Sequence, residues 1–126
     1  FVVVGPESAI ALGAASVEVV EVVHFAGSPS FGVRVTTPSG AIVAYSGDTE
    51  WTDTLVDLAD GADLFSVEGN FYDQPVTWHM DYATLSANLH RLSAGRVIAT
   101  HMGPAVLARA ADLEIDTAHD GLVIEL

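Results

Sequence analysis

The apolar run Ala41-Ile42-Val43-Ala44-Tyr45 passes directly into Ser46-Gly47-Asp48-Thr49-Glu50, and the reading of the whole chain turns on this stretch. A buried strand that stops at Gly-Asp-Thr delivers one carboxylate to the mouth of a sheet. Gly47 permits a tight turn there, and Thr49 has a hydroxyl that can bond the carboxylate or cap the next segment. Three histidines, His24, His79 and His101, fall where strands or loops are expected to end. One aspartate with several strand-end imidazoles is a donor set for hard and borderline divalent cations. The pattern points towards metallohydrolase chemistry.

Composition narrows the choices. The 126 residues make at most one domain, and 50% of them are apolar, enough for a packed core. No apolar stretch approaches the ~20 residues that a membrane span needs. There is no cysteine, so disulfides and thiolate sites are excluded and any metal must be held by nitrogen and oxygen. The 4 basic residues (Arg34, Arg91, Arg96 and Arg109, with no lysine) face 17 acidic ones, a net charge of −13. A polyanion is gripped mainly through Lys and Arg, so a large nucleic acid is disfavoured and a small-molecule substrate is not. The chain opens on Phe1 within the strand-like run Phe1-Val2-Val3-Val4, without a basic segment and apolar core of the secretory kind. A processed or partial chain and a cytoplasmic location are the expectations.

Along the chain, strands and helices alternate. Strands are expected at Phe1–Val4, Val17–Val23, Phe31–Thr37 and Ala41–Tyr45, the last two joined by a hairpin turn at Pro38-Ser39-Gly40. Thr52 or Asp53 is placed to cap a helix carrying Leu55, Val56, Leu58 and Ala59, which Gly61 ends. Asp63–Glu68 reads as a short strand. Asp81 caps a second helix with Leu85, Leu89 and Leu92 on one face, and Arg96–Thr100 comes next as a strand. A short helix is expected from Gly103-Pro104 to Ala110. The tail segments Leu113–Thr117 and Leu122–Leu126 bracket His119-Asp120-Gly121 as a hairpin.

Chemistry therefore collects at strand ends. Asp48, Glu68 and His101 each come after an apolar run, and His24 comes after Val22-Val23. If these strands share one sheet, their ends line one rim, a usual location for sites in α/β folds. A carboxylate can bridge two cations, and Asp48 is the strand-end aspartate placed for that role. His90, within the second helix, and His119, before a tight turn, read as surface and structural residues. Trp51 and Trp78 flank Asp48 and His79, and read as core or rim packing.

Ser46-Gly47-Asp48-Thr49, Ala62-Asp63-Leu64-Phe65 leading to Glu68, His79 before a capped helix, Thr100-His101 and His119-Asp120-Gly121 occur in that order. Together they resemble the C-terminal half of the metallo-β-lactamase-fold hydrolases, most closely the ribonuclease Z-like branch. Val22-Val23-His24 with Phe31-Gly32-Val33-Arg34 looks like the family's His-bearing strand and the stretch after it, and Val4-Gly5-Pro6-Glu7 like the turn before it. The resemblance implies an α/β chain, a single domain over residues 1–126, forming part of an αββα sandwich with a mixed sheet and flanking helices. It implies His24 and His101 as ligands of two divalent metal ions, zinc with manganese as the alternative, and Asp48 as the bridge. His79 corresponds to a non-ligand histidine that gives a proton to the leaving oxygen, with Glu68 as the carboxylate beside it. The activity implied is attack by metal-bound hydroxide on a small phosphodiester or other ester.

Departures from the family pattern are equally specific. Its His-x-His-x-Asp-His motif, the source of most metal ligands, is absent, and so is the long arm that ribonuclease Z enzymes use to hold tRNA. These residues alone are expected to be inactive or nearly so unless another segment or chain supplies the rest. The alternative is a non-catalytic fragment or interaction domain that keeps the fold's second half. A half-sheet left bare exposes apolar faces and strand edges, so a homodimer or aggregation is then expected.

Overall fold

A computed structural model describes residues 4–5 and 9–126. Among them are seven strands in one mixed sheet, arranged in sequence order. β1 (Ala9–Leu12), β2 (Ala15–Val22), β3 (Ser30–Thr36) and β4 (Ile42–Tyr45) pair antiparallel. β5 (Leu64–Glu68), β6 (Val97–Thr100) and β7 (Asp116–Thr117) continue the sheet in parallel from β4. Parallel neighbours require crossovers, and helices α1 (Thr54–Ala59), α2 (Tyr82–Asn88) and α3 (Pro104–Leu107) lie in those connections. This is the mixed α/β arrangement expected.

One face of the sheet carries the core. Val22, Ala44, Phe65 and Val67 from the strands pack with Leu55, Leu58 and Ala59 of α1 and with Tyr82 and Leu85 of α2. Phe65, Leu55 and Leu85 are completely buried, and each such side chain stabilises the fold by about 1.5–3 kcal/mol. On the opposite face, strand register places Val17, Val35 and Val43 in one row and Val19, Val33 and Tyr45 in the next. Tyr45 there remains 41% exposed. Among the described residues, no helix is long and apolar enough to cross a membrane.

Local chemistry explains where expected and observed elements part. Asp81 caps α2 as anticipated, accepting from the Thr84 backbone N–H at 2.9 Å and from its hydroxyl at 2.7 Å. Such a cap contributes about 1 kcal/mol. Neither candidate caps α1 through its side chain: the Asp53 carboxylate turns away to Arg91 at 2.8 Å, and the Thr52 hydroxyl meets that of Thr54. α2 stops at Asn88 and tightens into a 3-10 turn over Leu89–Arg91, while α3 ends before a second such turn at Ala110–Asp112. In the tail only Asp116–Thr117 pairs, and Leu122–Leu126 forms no strand. The expected hairpin is reduced to a turn closed by the Leu122 N–H on the His119 carbonyl. The first expected strand falls largely on residues 1–3, outside the described residues, whereas β1 itself is an addition that pairing with β2 creates.

Candidate functional site

The site grows from the end of β4. After Tyr45 the backbone reverses through Gly47 at φ +64, and a Cβ there would lie 2.9 Å from the Phe31 carbonyl oxygen. Only glycine avoids both the left-handed strain and that collision. The reversal presents Asp48 beside the end of β5, where Glu68 is fully buried. A buried carboxylate needs partners, and Glu68 has them on both oxygens. Its Oε2 accepts from the Thr49 backbone N–H at 2.6 Å, and its Oε1 accepts from His79 Nδ1 at 2.5 Å and lies 3.3 Å from His101 Nδ1. Thr49 thus holds Glu68 through its main chain; its hydroxyl accepts from the Val23 N–H and donates to the Glu50 carbonyl, rather than bonding Asp48.

The remaining side chains arrive from three other segments. His101, just past β6, sits at φ +50 and places Nδ1 2.9 Å from Asp48 Oδ1, while its Nε2 lies 3.3 Å from the Asn70 side-chain amide. His79, before α2, directly succeeds Trp78 at φ +74. Two non-glycine residues in the left-handed region, each costing on the order of 1–3 kcal/mol, mark a place where geometry is held against local preference. His24, in the loop after β2, donates from Nδ1 to the Trp78 carbonyl at 2.8 Å. The rings of His24 and His79 lie 5.0 Å apart, and those of His79 and His101 5.6 Å apart.

All five side chains expected at the site therefore converge on one rim. One ligand atom from each of His24, Asp48 and His79 lies within 4.8 Å of the others, and the same holds for Glu68, His79 and His101. Neutral imidazoles with carboxylates fit a divalent cation of the zinc or manganese kind, and no thiolate competes. Tyr45 feels the same charges: burial first, then the Asp48 and Glu68 carboxylates, raise its phenol above the usual value. A cleft of about 280 Å³, lined by Glu50, Trp51, Thr77, His79 and Asp81 among others, opens beside the cluster. Trp51 packs against the core with Arg91 over its ring, and Trp78 lies at the rim beside the exposed Phe25.

Glu50 and Asn70 are site residues that no sequence pattern singles out. Asn70 stands two residues past Glu68, in a loop with no motif, and Glu50 resembles any solvated acid after a turn. His90 and His119 are exposed and belong to neither ligand group, although His119 lines a shallow pocket together with His101.

A sequence model described as the Beta-lactamase superfamily domain matches residues 2–102. The chain belongs to this family. An uncharacterised protein of Mycobacterium leprae (strain TN) is 38% identical over 78 residues, 60% of this chain and 28% of its own length. Among solved structures, the metallo-beta-lactamase fold protein YhfI from Bacillus subtilis superposes with a TM-score of 0.79 at 20% identity, covering 97% of this chain and 54% of that one. A diphosphatase of the PhnP family gives 0.77 at 23% identity over 95% of this chain and 47% of that one. The short form of human tRNase Z gives 0.67 at 22% over 92% and 45%. The fold is thus that of the metallo-β-lactamases. The chain spans about half the length of these structures and under a third of the mycobacterial relative.

Proposed function

We propose that the intact protein is a metal-dependent hydrolase that acts on a small phosphodiester or another ester. The observation that carries this reading is the joining of two pairs at one rim: Glu68 with His79 at 2.5 Å, and Asp48 with His101 at 2.9 Å. Glu68 accepts the Nδ1–H of His79, orienting the ring so that in its imidazolium form the Nε2–H is the proton handed to a leaving oxygen, the ring returning to the neutral Nδ1–H form. His24, Asp48 and His101 are the metal ligands in this reading, with Asp48 as the bridge. Two bound divalent cations, zinc or manganese, would supply an activated water and offset charge that develops on the reacting centre. The three ligands here are too few for two cations, and the others are assigned to residues outside these 126. A small substrate fits the charge of these 126 residues: they hold four arginines and no lysine, and Arg91 and Arg96 are paired with Asp53 and Asp116, which is a poor basis for gripping a polyanion.

Hydrolysis of bis(p-nitrophenyl) phosphate by the intact protein, loaded in turn with zinc and manganese, tests the reading. Turnover that a chelator removes and added metal restores is the expected outcome. Absence of hydrolysis with either ion, together with no metal uptake, would defeat it.

A further inference from the structure

Glu50 occupies a position that its appearance in the sequence does not suggest. Its backbone N–H donates to the Val23 carbonyl at 3.0 Å, which anchors it beneath the loop that carries His24. Its Oε1 accepts from the Trp78 backbone N–H at 2.6 Å, across 28 residues of sequence. The Trp78 carbonyl in turn takes the Nδ1–H of His24 at 2.8 Å. A carbonyl can only accept, so this contact requires the proton on Nδ1 and leaves the Nε2 lone pair free.

Residue 78 is thereby gripped on both sides while it sits at φ +74, and the His79 N–H closes the same turn on the Val76 carbonyl at 3.1 Å. For a side chain as large as tryptophan the left-handed region costs roughly 1–2 kcal/mol, and nothing in Pro75-Val76-Thr77-Trp78 favours it locally. The bond to the Glu50 carboxylate is charge-assisted and about twice as strong as a neutral one. We propose that Glu50 is a positioning residue: through the Trp78 turn it sets the tautomer and direction of His24 and, one residue on, the placement of His79. The inference rests on the reading of His24 as a metal ligand only where metal affinity is the readout. A hydrogen-bond partner that orients a ligating imidazole typically governs affinity by 10- to 100-fold, on the order of the effect expected here.

The test uses long-range imidazole ¹⁵N spectra of the metal-free intact protein, paired with its zinc affinity. Wild type should show His24 in the single Nδ1–H tautomer. Glu50→Ala should give a tautomer mixture and bind zinc about 10- to 100-fold more weakly, with the rest of the amide spectrum unchanged. Glu50→Gln keeps a carbonyl that accepts from the Trp78 N–H, and should restore both. A Glu50→Ala protein with His24 in its original tautomer and zinc affinity within about twofold of wild type would overturn the proposal. So would a Glu50→Gln protein as impaired as Glu50→Ala. If wild type binds no zinc yet Glu50→Ala still scrambles the His24 tautomer, the metal reading fails and the positioning role stands.

Discussion

The two ends of β4, β5 and β6 are built on opposite terms. At their starts, the carboxylates of Asp63 and Asp60 settle with one partner each: Asp63 Oδ2 takes the Ile42 N–H at 2.7 Å and Asp60 takes the Ser93 hydroxyl at 2.7 Å, while the Gly61 N–H reaches the Ser93 carbonyl. At their finishing ends, Glu68 alone serves Thr49, His79 and His101, and Asp48 shares His101 with it. The quiet end is a set of separate closures. The other end is a network in which one side chain holds several, so changes there propagate instead of adding. Left-handed His101 and Trp78 belong to that end as well. Convergence of like-charged carboxylates and strained residues is unfavourable for folding alone and makes sense as a place for cations.

The largest contrast should come from two aspartates. Asp48→Ala is expected to abolish two-cation binding in the intact protein, while Asp60→Ala at the quiet end leaves metal content unchanged; elemental analysis after dialysis against zinc reads both. Equal metal content in the two variants would erase the distinction between the ends. Next, His79→Ala should keep its metal but lose turnover by ~10²-fold or more, the usual contribution of a general acid. Steady-state rates matching wild type would remove His79 from the chemistry.

Backbone effects are smaller and can be compared in the same way. Gly47 and Gly61 have nearly equal φ, +64 and +62, but a Cβ at Gly61 meets open space and one at Gly47 meets the Phe31 carbonyl at 2.9 Å. Gly61→Ala should cost about 1 kcal/mol in urea unfolding, and Gly47→Ala at least about twice that. Similar costs would mean that the collision is relieved freely. The smallest effect concerns Tyr45, whose phenol is held above 10.0 by burial, then by Asp48 and Glu68. The neutral phenol is favoured by folding, so the stability it lends is full below 10.0 and is lost as pH rises through the higher folded value. In metal-free protein, Asp48→Asn should lower the ultraviolet titration midpoint of this phenol, and a rise would contradict the charge assignment.

Much of the site was legible because strand ends are. Apolar runs that stop at Asp48, Glu68 and His101 announce both the sheet and what its rim carries, since parallel neighbours in register bring those ends together. The loop residues were harder. His79 reaches the cluster only because Trp78 turns left-handed, and that depends on Glu50 and His24 from other segments, which no local pattern encodes. The same logic explains the two strand errors. Ala9-Ile10-Ala11-Leu12 has weak strand propensity and becomes β1 by pairing with β2, whereas Leu122–Leu126, apolar and carrying the β-branched Val123 and Ile124, pairs with no strand among the described residues.

Anomalous diffraction from crystals of the zinc-loaded intact protein tests the central claim most directly. The account predicts a zinc peak bonded to His24 and Asp48 and another bonded to Asp48 and His101, at about 2.0–2.2 Å from each ligand atom. Zinc found only at sites that exclude Asp48, or His24 and His101 turned to separate surfaces with no cation between them, would contradict it.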